Sequence, residues 1–295
     1  MKRLLSLILL ICILLSVSSA LAEAEWTYAI PLSLLNSEYT VLVNRDHMLT
    51  KDEKPENLVS VNLRKKTSTV IQLDAVAAKA LTDLFAESAK ITSYSYREKV
   101  GDGDWQDAVF NNEDGLKLLL YSGYRSYSSQ YTIYHNYLDR NNGVDDGISS
   151  PPGASEHQTG LACDVISVGY NNTHQYMNEE FYETPEAQWM EENAAAFGFI
   201  IRYPNGKEEI TKVPYEPWHL RYVGREIAEY IQSHCLTLEE FTDEWQAALD
   251  TFVNDGGDIQ AQLLLESTMA PSAVTTTVLD IYGEDGDAEV SLTMF

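Results

Sequence analysis

Three side chains on two well-separated segments set the strongest constraint on this chain. His157 and Asp164 lie in SEHQTGLACDV, and His219 lies in YEPWHLRYVG. Two imidazoles and a carboxylate can hold one Zn²⁺ and leave a fourth position for water. A fold that uses them this way must carry residue 219 back against residues 157–164. Glu216, three residues before the last His, supplies the base such a water needs. Pro217 stiffens the backbone between acid and imidazole, and Trp218 offers an apolar wall for a substrate pocket.

His157 and Asp164 are seven residues apart, which on one flat strand puts them on opposite faces. Their convergence requires a bend, and Thr159-Gly160 is the place for it. Taken alone, each segment fits an ordinary polar turn or a hydrogen-bonded pair as well as a metal site; their joint occurrence favours zinc. Other hydrolytic chemistries lack their signatures. The chain has no His-Glu-x-x-His, no Ser-x-x-Lys and no Gly-x-Ser-x-Gly. Cys163 adjoins Asp164 but has no activating neighbour motif.

The 295 residues allow one or two domains, and an apolar fraction of 44% suits a globular core. Residues 1–22 read as a secretory signal: Lys2 and Arg3, an apolar run from Leu4 to Val17, and Ala20-Leu21-Ala22 as an A-x-A cleavage site. Uncleaved, the same stretch would be an N-terminal anchor and the chain's one tie to a membrane. Export leaves Cys163 and Cys235, either bridged or as two buried free thiols. With 45 acidic against 20 basic residues, a net charge of −25 argues against nucleic acid as a partner. No Lys or Arg follows Arg225, so the tail is acidic throughout.

Local signals predict a helix capped by Asp74 over Ala75–Lys90, burying Val76, Ala80, Leu81, Leu84 and Phe85. GDGDWQDAVFNNEDG reads as a surface loop or insertion, LKLLLYSG as a strand entering a turn, and SYSSQYTIYHNYLDR as a helix. Thr184-Pro185 opens a helix that stops at Gly198, FIIRY is a short strand, and REIAEYIQSH is helical. Thr237 with Glu240 forms a capping box. The last stretch, VTTTVLDIYGEDGDAEVSLTMF, reads as two strands about an acidic turn. These features divide the chain into a signal (1–22), a catalytic domain (23–236) and an acidic C-terminal extension (237–295).

SGYRSYSSQ, SEHQTGLACDV and YEPWHLRYVG, in this order, resemble the VanY-type D-alanyl-D-alanine carboxypeptidases, a branch of the zinc D-Ala-D-Ala peptidases. VNRDHML and WMEENAAAFGFIIRYPNGK are similar too, so the likeness spans roughly residues 40 to 235. The resemblance implies an α+β fold, with a small antiparallel sheet carrying the metal ligands and helices alongside. It implies His157, Asp164 and His219 as Zn²⁺ ligands and Glu216 as general base. Arg125 would bind substrate or stabilise the oxyanion, and Gln130 and Ser155 would touch substrate. The implied partner is a peptidoglycan stem peptide ending in D-Ala-D-Ala, cut outside the cytoplasmic membrane. An L,D-carboxypeptidase, a peptidoglycan endopeptidase and a non-catalytic wall-binding module remain as alternatives.

Overall fold

The computed structural model of the chain describes residues 24–269 apart from Asn36 and Asp102. The expected signal segment and the two strands expected near the C-terminus lie outside the described residues. Strands β1 (Leu58–Ser60) and β2 (Gln72–Asp74) pair antiparallel, and β3 (Ser93–Val100) and β4 (Asp104–Asn111) form a hairpin. Strands β5 (Leu118–Ser122), β6 (Ala162–Ser167), β7 (Phe199–Ile201) and β8 (His219–Tyr222) make an antiparallel sheet in the order β5-β6-β8-β7. Helices pack alongside, which is the expected α+β architecture. No helix among the described residues is long and apolar enough to cross a membrane.

The local signals act as physical chemistry requires. Asp74 caps the Ala75–Ser88 helix, its carboxylate accepting from the Val76 and Ala77 N–H groups at 2.9 and 3.4 Å. That helix buries Ala77, Ala78, Leu81, Leu84 and Phe85, whereas Val76, expected inside, is 44% exposed. The apolar stripe begins one residue later because Val76 sits in the first turn, beside the cap. Thr184 caps Pro185–Asn193, and Gly198, at φ 84°, ends the 3₁₀ turn that follows.

The stretch expected as a loop around GDGDWQDAVFNN is instead half of the β3–β4 hairpin, paired in register from Ser93↔Asn111 to Val100↔Asp104. Much of this ribbon faces solvent, so its exposed positions carry Asp and Gln and mask the strand alternation.

Two apolar clusters hold the sheet. The larger joins Leu81, Leu84 and Phe85 to Leu118, Leu120, Val165, Trp189 and Leu220. The second joins Ile200, Val223, Ile227 and Ile231 to Leu238 and Phe241. Leu238 and Phe241 belong to the Leu238–Asn254 helix, which begins with the complete Thr237/Glu240 capping box. The expected boundary at residue 236 thus falls between two helices that share one core. Cys163 is buried and Cys235 exposed, and both are free thiols.

Candidate metal centre

Sheet register does half the work of assembling the site. β6 and β8 pair with Asp164 directly opposite His219 and Ala162 opposite Arg221. Directly opposed residues project from the same face, and neighbours along each strand project from the other. Asp164 and His219 therefore meet on one face, while Cys163 and Leu220 enter the main core on the other. A register shift between Leu120 and Ser122 of β5 sets Ser122, rather than Tyr121, opposite Asp164. Such a bulge re-aims a side chain, and Ser122 Oγ donates to Asp164 Oδ2.

His157 reaches the same point by the bend that its spacing demanded. Residues Glu156–Thr159 form a 3₁₀ turn closed by Gly160 in the left-handed region at φ 74°. A Cβ on Gly160 would also lie 2.9 Å from Leu58 Cδ2, so conformation and space both call for glycine. The loop after β5 braces the turn: the Arg125 N–H donates to the His157 carbonyl at 3.0 Å, and His157 Nδ1 donates to the Gly123 carbonyl at 2.7 Å. With its proton committed to Nδ1, the ring presents its Nε2 lone pair inward, where that buried atom has no hydrogen-bond partner.

The three side chains converge. His157 Nε2 lies 3.4 Å from Asp164 Oδ2, and His219 Nδ1 lies 3.4 Å from Asp164 Oδ1. One donor atom from each of the three lies within 4.8 Å of the others. Tetrahedral bonds of about 2.0–2.2 Å place ligand atoms about 3.4 Å apart. The donor set, its spacing and the unpartnered Nε2 therefore fit a small divalent cation.

Glu216 joins them through a tight turn. The His219 N–H donates to the Glu216 carbonyl at 3.1 Å, and Glu216 Oε2 lies 3.4 Å from His219 Nδ1.

The electrostatics favour a cation. Burial and the nearby Arg125 push His157 down to about 4, leaving it a neutral donor. Burial works against the Asp164 charge, yet the facing His219 holds its carboxyl well below the usual range. Burial likewise opposes a proton on His219, but Asp164, Glu156 and Glu216 together raise it well above its ordinary value. The same carboxylates stabilise positive charge at this point whether a proton or a metal carries it. Glu216 is lifted by burial, against the pull of His219.

Arg125, Gln130, Ser155, His157, Glu216 and His219 line one small cavity of about 70 Å³, together with Tyr203, Val213 and Ile148. Arg125 Nε is buried without a partner, and burial lowers its pKa against the pull of Asp164 and Glu216. Gln130 donates to the Ser150 carbonyl at 2.7 Å and leaves its own oxygen free. Trp218 does not form the expected pocket wall. It precedes His219 on the opposite face and packs in the main core, so Tyr203, Val213 and Ile148 serve as the wall instead.

Sequence reasoning passed over the residues behind the candidate ligands. Ser122 carried no signal beyond a Ser before a Gly. Tyr203 stands over His219 with ring centroids 4.9 Å apart. Glu156, adjacent to His157, is fully buried, and its Oε1 accepts from Arg202 Nε and Arg221 Nη1, each at 2.7 Å. Arg202 also grips Glu239 bidentately at 2.7 and 2.8 Å. Arg221 Nη2 donates to the Tyr39 and Val41 carbonyls at 3.0 and 2.7 Å.

Comparison with known proteins agrees with this geometry. Residues 107–225 match the family model described as VanY, D-alanyl-D-alanine carboxypeptidase. A D-alanyl-D-alanine carboxypeptidase of Enterococcus faecium is 38% identical over 125 residues, covering 42% of this chain and 36% of its own length. Among solved structures, the LD-carboxypeptidase LdcB is 36% identical with a TM-score of 0.56, over 68% of this chain and 84% of that one. The vancomycin-resistance D,D-pentapeptidase VanY from a VanB-type cassette, solved as a point mutant with Zn(II), is 30% identical with a TM-score of 0.51. That match covers 70% of this chain and 99% of that one. The chain spans 36%, 48% and 66% of the lengths of three curated relatives from Enterococcus and Bacillus subtilis.

Proposed function

The chain belongs to the VanY family of D-alanyl-D-alanine carboxypeptidases, and from that premise we propose that it is a zinc-dependent D,D-carboxypeptidase. Its substrate would be a peptidoglycan stem peptide ending in D-Ala-D-Ala. The observation that carries this reading is the convergence of His157, Asp164 and His219 with Glu216 against His219. In the reading, the two imidazoles and Asp164 would hold Zn²⁺, which would supply Lewis-acid activation of a water and of the scissile carbonyl. Glu216 accepts a proton from the attacking water and returns it to the departing amine of the terminal D-Ala. Arg125 offers a planar fork for the peptide's terminal carboxylate or for the developing oxyanion. Gln130 and Ser155 line the same cavity, which supports a role for both in contacting substrate. The basic and then apolar N-terminus supports action outside the cytoplasmic membrane.

The likeness to LdcB favours a second reading, removal of the terminal D-Ala from a tetrapeptide. One experiment separates the two. The purified chain, with and without chelator, is incubated with muropeptides and the products are weighed by mass spectrometry. Loss of one D-Ala from the pentapeptide supports the first reading, shortening of the tetrapeptide the second, and no chelator-sensitive loss from either refutes both.

A further inference from the structure

We propose that Glu156 is a positioning residue for His219, and that two buried arginines tie this role to the C-terminal helix. The inference rests on the zinc reading above and concerns a residue with no part in it so far. His219 offers two ring nitrogens. Nδ1 faces Asp164 and Glu216, each at 3.4 Å, on the side where the donors converge. Nε2 points the other way, is buried and has no hydrogen-bond partner. The Glu156 Oε2 atom stands 3.7 Å from it and is likewise buried and unpartnered. A donor and an acceptor, each lacking any other partner, thus face each other across a few tenths of an ångström beyond hydrogen-bond range.

Leaving a buried donor and a buried acceptor unpaired is costly, so a small ring movement that joins them is favoured. A proton kept on Nε2 leaves the Nδ1 lone pair free for a cation. A carboxylate behind a ligating imidazole fixes its tautomer and ring plane and raises its basicity.

Glu156 can do this only if it is held in place and remains charged while fully buried. Its other oxygen accepts from Arg202 and Arg221 at 2.7 Å each, and all three side chains have no solvent exposure. Arg202 is anchored in turn by the bidentate Glu239. Two guanidinium groups and two carboxylates balance in charge, which is what makes the burial tolerable. His219, Glu156, Arg202 and Glu239 thus form a continuous line from the metal side of the imidazole to the first turn of the Leu238–Asn254 helix.

The test uses the full chain and reads zinc binding rather than turnover. Zinc affinity is measured by competition with a chromophoric chelator for wild type and Glu156→Gln. The His219 Nε2 proton is followed in the zinc-loaded protein by NMR with ¹⁵N-labelled histidine. The expected result is tight stoichiometric binding by wild type, with Nε2–H displaced downfield by its carboxylate partner. Glu156→Gln should bind zinc about 10–100-fold more weakly and return that proton toward an ordinary imidazole position. A folded Glu156→Gln protein with unchanged zinc affinity overturns the proposal, because a purely structural carboxylate would alter melting but not metal binding. If that variant fails to fold, the wild-type resonance decides: a proton at the ordinary position overturns the proposal, and a downfield one upholds it. Wild type that binds no zinc instead refutes the parent reading, and this inference with it.

Discussion

Replacing Phe241 with alanine tests whether the helix beyond residue 236 belongs to the body that carries the candidate site. Phe241 is completely buried against Ile227, Ile231 and Leu238, with its ring centroid 5.9 Å from that of Tyr230. A buried phenylalanine removes roughly 150–250 Å² from water. At about 25 cal/mol per Å² that is worth roughly 4–6 kcal/mol, an upper bound because unfolded chains already bury some surface. Truncations of buried Phe to Ala cost about 3–5 kcal/mol. For a domain of this size each kcal/mol moves Tm by roughly 2–4 °C, so Phe241→Ala should lower Tm by about 6–20 °C in a single transition. Calorimetry or circular dichroism melting measures it. A drop under about 2 °C, or a second transition that melts separately, would refute the shared core and make the helix an appendage.

Other expectations concern the site. Glu216→Gln should keep its zinc, by elemental analysis, while losing at least about 10²-fold in turnover of a D-Ala-D-Ala peptide; turnover near wild type would remove Glu216 from the mechanism. Ser122→Ala deletes the hydroxyl that donates to Asp164 Oδ2. A hydrogen bond to a charged group is worth about 1.5–3 kcal/mol, so zinc should bind about 10–100-fold more weakly. Unchanged affinity in chelator competition would show that strand register alone orients Asp164.

The pH dependence of stability has a definite sign. Burial works against the Glu156 charge, but Arg202 and Arg221 hold its carboxyl well below the ordinary value near 4.5. A carboxylate depressed in the folded state contributes stability above that ordinary value and loses it as pH falls. The urea midpoint should therefore hold from neutral pH down to about 5 and then fall, more steeply than in Glu156→Gln. Parallel curves would contradict the assignment.

Much of this molecule is legible in its residues taken a few at a time. Asp74, Thr184 and Thr237 mark helix starts because capping is a local hydrogen-bond problem, and Gly160 marks the bend because one backbone conformation and one narrow space require it. The candidate metal ligands and Glu216 are likewise visible, since each falls in a short motif: His157 and Asp164 seven residues apart, Glu216 and His219 three. The β3–β4 hairpin was hidden because a solvated ribbon places Asp and Gln where a buried strand would alternate. Trp218 misled because its neighbour His219 belongs to the site, and in a strand adjacent residues face opposite ways.

What the sequence by itself determined was the inventory of donors and the points where the chain must start, stop and bend. Tertiary structure decided which groups stand behind the donors. Ser122 meets Asp164 through a register shift in β5. Glu156 keeps its charge through two arginines on β8 and just beyond β7. Glu239 enters from a helix that begins after the domain boundary read from sequence. Those partnerships depend on long-range pairing and on burial, which lets a carboxylate remain ionised only where cations 2.7 Å away replace its water.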